Sequence, residues 1–249
     1  MFRMLKLKPP HGWDAVAWEL VIVVVGVLLA LLAQQWVSER DDRAKVRQSL
    51  DAIRSEVGGH YAWSVEWRAT EPCLLAQIDS LEQRVLKSGN ELDPAPVYSE
   101  ANGHYVLRMP SKEYVASAWQ AAQADGVSAD FDPRLRTELS SHYEQARLLA
   151  DHGERNGVDY RRLLVLSEPI PLDPSTRFSI LQTLAELRGR VEFVDVLSGQ
   201  IIDHVQRLKM VPAQSFAQHE VERYGTYQFC KAHGLPMRSL KDAMQAVPN

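Results

Sequence analysis

The chain of 249 residues carries 28 Lys and Arg against 32 Asp and Glu, a formal net charge of −4 with a pI of about 6.1. No basic field argues for nucleic acid, whose phosphates call for a clustered positive face. The length suits roughly one domain with a real core plus an appendage.

Residues 1–12 read as a short basic tail with Arg3, Lys6 and Lys8, and 13–37 as a transmembrane anchor helix. From 16 to 36 a helix rising about 1.5 Å per residue covers about 31 Å, the hydrocarbon thickness of a bilayer. Residues 20–33 hold no charged side chain and are apolar from every side, unlike the single stripe of a soluble surface helix. Trp13 and Trp18 stand at one end and Trp36 at the other, where amphipathic rings settle at headgroup level. Gln34 and Gln35 mark the exit. Glu19, within a turn of the entry end, reads as an interfacial acid favoured by the helix dipole rather than an intramembrane functional one. A cleavable signal peptide is the rival, but bulky Leu31 stands two before Ala33, where cleavage wants a small residue. Gly26 and Ala30 form a small-xxx-small pair that would let two such helices approach as a homo-oligomer.

The run from Glu19 through Gly26 and Ala30 to Gln34-Gln35-Trp36 resembles the anchor of the DUF6090-like proteins, a family of uncharacterised single-pass bacterial membrane proteins. Tyr114, Trp119, Gly126, Leu135, Leu139 and Tyr143 are similar to that family's aromatic helix, Gly turn and following helix. Gln34-Gln35 replaces the family's Asn pair, and Leu32 stands where Gln is frequent. The resemblance implies an intact anchor and transfers no catalytic residue.

Orientation is nearly balanced: Arg3, Lys6 and Lys8 compete with Arg40, Arg43, Lys45 and Arg47 across the span. A basic tail before an uncleaved anchor is most simply an N-in signal anchor. That puts the protein in the bacterial inner membrane, single-pass, with its N-terminus cytoplasmic and the C-terminal domain periplasmic. Cys73 and Cys230 either form one disulfide there or remain two separate thiols, since sequence alone does not bring them together.

Residues 38–249 read as an all-α soluble domain, a stalk helix over 38–68 followed by a bundle over 70–249. Val46, Leu50, Ile53 and Val57 alternate four and three as a helical seam, so the anchor is expected to continue as the stalk, with distortion at Gly58-Gly59. Thr70 and Pro72 predict a second helix starting there and ending at Gly89. Residues 90–110 read as a long loop with a short extended piece at Tyr105-Val106-Leu107. Ser111 is the expected cap of a helix bearing Tyr114 and Trp119, closed at Gly126. Asp132-Pro133 and Asp173-Pro174 are sharper starts, each a cap followed by Pro at the first helical position. Gly153 and Gly157 are expected to break the helix that Asp132 begins. Ile180, Leu184, Leu187, Val191, Val194, Ser198, Ile201, Val205 and Leu208 predict a long bundle helix, packed within the chain rather than as a homomeric coiled coil. A helix from Ser215 with Phe216, Tyr224 and Tyr227, and a short one around Leu240, close the chain.

Chemistry is sparsely written. Among the eight histidines, Glu56 with His60 and Glu138 with His142 stand four apart and share helix faces. A bundle di-iron site needs Glu-x-x-His pairs, which are absent, so these read as surface or hydrogen-bonded histidines and no metal, cofactor or catalytic residue is assigned. His219-Glu220 lacks a second zincin histidine, and Cys230 with His233 is at best half a zinc site, read instead as a buried thiol near a helix end. No phosphate loop, dinucleotide fingerprint or nucleophile elbow occurs. The expected function is protein–protein association with an unknown partner at the inner membrane. The alternative is a periplasmic ligand-sensing bundle, disfavoured by a cytoplasmic tail too short for an output domain. An uncharacterised hydrolase or metal enzyme ranks last.

Overall fold

A computed structural model describes residues 13–100 and 103–247. The basic tail lies outside the described residues, and the side chains of Trp13 and Tyr160 are likewise not described. Almost everything described is helical: α1 (Trp13–Lys87), a hairpin of β1 (Tyr98–Glu100) and β2 (Gly103–Tyr105), α2 (Ser117–Ala124), α3 (Pro133–Leu163), α4 (Pro174–Arg207), α5 (Gln214–Glu222), α6 (Gly225–Ala232) and α7 (Leu240–Ala243). Two compact units result, residues 1–48 and 49–249.

The first unit is the leading part of α1. Every side chain from Trp18 to Val37 is exposed, including all the aliphatic ones. The most apolar 18-residue window reaches a mean hydropathy of 2.4 with none of it buried. An isolated helix that is apolar all round has no face to turn to water, so this segment is a candidate membrane span.

The second unit is a helical bundle in which α1 is the central element. Ile53 and Val57 begin its buried side, and from 57 to 70 every residue is buried except the partly exposed Gly59 and Trp63. Cys73, Leu74, Ile78, Leu81 and Val85 then continue as an i, i+4 stripe. The expected second helix at Thr70 does not exist, because α1 runs through Pro72 to Lys87. An interior proline removes one N–H and pushes against the preceding turn. Two further hydrogen bonds lie in the turn before the proline. Thr70 Oγ1 donates back to the Glu66 carbonyl at 2.8 Å, and the Ala69 carbonyl accepts the Arg238 N–H at 2.9 Å. Nor does the Gly58-Gly59 pair interrupt the helix.

Asp132 and Asp173 cap as their sequence signals predict. Asp132 accepts the N–H groups of Arg134 and Leu135 at 2.9 and 3.2 Å, and Asp173 those of Ser175 and Thr176 at 2.8 and 3.0 Å. The α4 seam from Leu184 to Val205 is buried and packs on α3 within the chain. Gly153 and Gly157 leave α3 unbroken, since packing on α4 outweighs the roughly 1 kcal/mol that a helical glycine costs. In place of one helix from Ser215, α5 and α6 are separated at Arg223 and Tyr224. The extended piece falls earlier than expected, as β1 pairing antiparallel with β2 in the register Tyr98 to Tyr105.

The segment after Gly234 is strapped across α1 and α4. Arg238 bridges Asp195 at 2.8 Å and Glu71 at 3.3 Å, while Arg68 donates to the carbonyls of Ala243 and Gln245 at the end of α7. Gly199 admits this strap: a Cβ there would lie 2.6 Å from Val247 Cγ2. Gly199→Leu is therefore expected to lift the strap while α4 stays helical. Limited trypsin digestion reads this as faster cleavage after Lys241, and unchanged cleavage would show that the strap does not depend on that contact.

Candidate functional site

Along α1, Glu56, His60, Trp63, Ser64 and Trp67 recur every three or four residues and share one face. Facing them are residues 114–119, His142 and Tyr143 of α3, and α4. Glu56 sets the local architecture. One carboxylate oxygen accepts the Tyr143 hydroxyl at 2.6 Å, and the other accepts Ser117 Oγ at 2.8 Å and the Ala118 N–H at 3.0 Å. It therefore caps α2 from another helix, where Ala116 at the N-cap offers no side-chain bond of its own. This explains why the helix expected from Ser111 begins only at Ser117. Glu56→Ala is expected to cost about 2–3 kcal/mol, from a lost cap and a stranded buried hydroxyl, read as a lower urea midpoint at unchanged slope.

Next along the face, two histidines meet in the core. His60 Nε2 lies 2.8 Å from the Val115 carbonyl, which only accepts, so Nε2 carries the proton. His60 Nδ1 then accepts from His142 Nε2 at 3.0 Å. Burial of both rings favours their neutral forms, in which His60 Nδ1 accepts and His142 Nε2 donates. Burial holds His60 down to about 4, against the attraction of Glu56, and holds His142 well below its ordinary value. His204 of α4, whose ring centre is 6.3 Å from that of His142, is lowered by the same cause. Ser64 Oγ and the Tyr114 hydroxyl share a 3.1 Å hydrogen bond, and burial raises the Tyr114 phenol. Trp119 stacks on Tyr143 with ring centres 5.7 Å apart.

The buried Glu66 carboxylate lies beside the first turn of α6, where the backbone of Tyr227 and Thr226 favours its charged form. Burial pushes it up to about 7, opposed by Lys112 and Arg108.

Beside this polar core a cleft of about 500 Å³ opens between α1, the irregular segment 110–115, α3 and α4. Trp67, Tyr114, Leu149 and Val194 form its floor, and Lys112, Glu113 and Glu154 stand at its mouth. A volume between roughly 300 and 1,000 Å³ with an apolar floor and a few polar groups is the usual form of a binding site.

The two Glu/His pairs singled out by spacing are thus resolved differently. The histidines bond to each other, Glu56 caps α2, and Glu138 pairs with Arg207 at 3.3 Å. Among the described residues no group of three His, Cys, Asp or Glu could hold a metal ion. Within the cluster His60 has both nitrogens committed, so it gives Ser64 no base. Cys230 is not a thiol: it is joined to Cys73, with Cα atoms 6.0 Å apart, which ties α6 to α1. The His233 Nδ1 bonds instead to the Phe229 carbonyl at 2.9 Å. Sequence reasoning missed Glu66, Trp67 with Lys112, and Arg68, whose roles depend on elements 40 or more residues away. For Glu66 and Arg68 the available signal was their placement, as charged residues on a helix stretch otherwise rich in apolar ones.

Compared with family models, curated proteins and solved structures, the chain matches none.

Proposed function

We propose that this is a single-pass protein of the bacterial inner membrane, with its N-terminus cytoplasmic and its helical domain in the periplasm, which works by protein–protein association. The observation that carries the reading is the exposed apolar stretch of α1 on the same chain as a domain closed by the Cys73–Cys230 disulfide. A bilayer covers the first, and an oxidising compartment keeps the second. The resemblance of the anchor to the DUF6090-like proteins agrees with an uncleaved span. Gly26 and Ala30, both exposed on α1, offer a face for self-association in the membrane.

Support for association over turnover comes from how the polar groups are used. Glu56, His60 and Ser64 are spent on a cap and buried hydrogen bonds, and among the described residues lining the cleft none is paired with a base. The same cleft favours a second reading, a ligand-sensing bundle, because it lies between helices as a small-molecule site does. Crosslinking in intact cells followed by purification from membranes tests the first. Capture of a second protein or second copy is expected, and a monomer that turns over a small molecule would overturn it. A C-terminal alkaline phosphatase fusion is expected to be active, and an inactive one beside an active cytoplasmic reporter would reverse the orientation.

A further inference from the structure

The first turns of α1 beyond its apolar stretch sort their charges by side. Trp36, Arg40, Arg43 and Arg47 recur at intervals of four, three and four, so they share one face, and with Glu39 they line a shallow groove along the helix. All of them are exposed. Glu39, on the rim of that face, pairs with Arg43 at 3.5 Å and accepts from Gln35 Nε2 at 3.2 Å, which leaves three guanidinium groups against one carboxylate. The other acids of these turns look away. At about 100° per residue, Asp41 and Asp42 stand more than about 120° from the middle of the face. There Asp42 is engaged by Lys45 at 3.3 Å and by Ser38 Oγ at 3.5 Å.

Depth gives this face its partner. Counted from Val37, where the proposed span ends, a rise of about 1.5 Å per residue puts the Cα atoms of Arg40, Arg43 and Arg47 about 4.5, 9 and 15 Å out, beside a headgroup layer about 5–7 Å thick. Side chains on a helix lean toward its N-terminus, which here is the bilayer side, so Arg40 and Arg43 reach back into that layer. Arg47 lies within about a Debye length of it, about 8–10 Å, and adds attraction. The planar fork of arginine matches phosphate oxygens, and Trp36 on the same face is a ring that settles at headgroup level. We infer that the Trp36 to Arg47 face of α1 selects anionic phospholipids, with Arg40 and Arg43 on the headgroup phosphate and Arg47 strengthening the field above it. The inference rests on the membrane-span part of the proposed function and holds for either orientation of the chain.

The full chain is reconstituted in phosphatidylcholine vesicles carrying a trace of spin-labelled phosphatidylglycerol or spin-labelled phosphatidylcholine. The motionally restricted fraction of each label gives the relative association constant of the anionic lipid. A preference for phosphatidylglycerol is expected, falling about twofold or more when Arg40→Gln, Arg43→Gln and Arg47→Gln are combined, and falling likewise in about 1 M KCl, where the Debye length is about 3 Å. Arg3, Lys6 and Lys8 at the other end of the span contribute equally to every variant. Arg43→Gln alone is expected to weaken the preference more than Lys45→Gln, which removes the same charge at similar depth from the far side of the helix. Glycerol 3-phosphate at millimolar concentration is expected not to compete, and competition by it would make a free phosphate, not a lipid, the occupant. A preference kept by the triple variant, kept in high salt, or lost equally with Arg43→Gln and Lys45→Gln overturns the inference. Alkaline carbonate extraction separates it from the reading it rests on. A chain stripped from the vesicles refutes the span and the lipid face together, whereas a chain retained without lipid preference refutes the face alone.

Discussion

Replacing Cys73 and Cys230 together with serine is expected to lower the stability of the helical domain by about 2–5 kcal/mol. The bond joins residues 157 apart in sequence, and closing a loop of that length restricts the unfolded chain by about 5 kcal/mol on a loop-entropy count. Both sulfurs are fully buried, packed with Phe229 and flanked by Tyr98, Leu235 and Met237, so the serine hydroxyls would also be buried among apolar groups. For a domain of this size each kcal/mol moves the melting temperature by about 2–4 °C, so a fall on the order of 10 °C is expected in a calorimetric scan. The single variants are expected to fall at least as far, since each leaves a buried thiol unpaired. Because the bond is shielded from solvent, dithiothreitol without denaturant is expected to leave it intact, and with urea to break it. A gel of alkylated samples distinguishes the two. Serine variants that melt with the parent would mean that α6 is held on α1 by packing alone.

Acidification is expected to act through two opposed groups, which a single substitution separates. His60 is lowered in the folded domain to about 4 from an ordinary 6.5. Its neutral form contributes stability that is complete above pH 6.5 and is lost as the pH falls toward 4, by about 3 kcal/mol at most. His142 moves in the same direction. Glu66 is raised to about 7 from 4.5, so its protonated form contributes stability that is complete below pH 4.5 and is lost as the pH rises through 7. Its magnitude is again about 3 kcal/mol. Between pH 4.5 and 6.5 the His60 and Glu66 slopes largely cancel in the parent, leaving the fall due to His142. Glu66→Gln removes the rising arm, and its stability is expected to drop by about 3 kcal/mol more than the parent's from pH 6.5 to pH 4.5. Urea unfolding across that window checks it. Parallel curves would show that Glu66 is solvated in the folded state or ionised throughout.

How far these arrangements could be read from the sequence depends on how local their causes are. The starts of α3 and α4 were legible because Asp132-Pro133 and Asp173-Pro174 carry cap and first turn in two adjacent residues. The α4 seam was legible because its positions alternate four and three along one face, which from Leu184 to Val205 is buried. The start of α2 was not, because its cap is Glu56, 61 residues before Ser117. Pro72 misled for a related reason. A proline reads as a helix start, yet α1 runs on through Pro72 to Lys87, held by the packing of its buried side. The i, i+4 spacing did bring Glu56, His60 and His142 forward as candidates, but spacing along one helix does not say what the facing helix presents. The cleft was invisible, since its walls come from four separate stretches of chain.

Placing the central helix first in the chain has a consequence for biogenesis. The stretch of α1 from Ile53 to Val85 leaves the ribosome before every element that covers it, and its last partners, the Cys230 sulfur and the strap from Arg238, are made near the end of synthesis. At about 5–20 residues per second the buried side of α1 stands uncovered for on the order of ten seconds or more. Contacts this distant in sequence also close slowly. If the domain is periplasmic, as proposed, such a chain needs a holding chaperone during export and a thiol oxidase that acts late, and cells short of either should accumulate it as reduced, protease-sensitive protein.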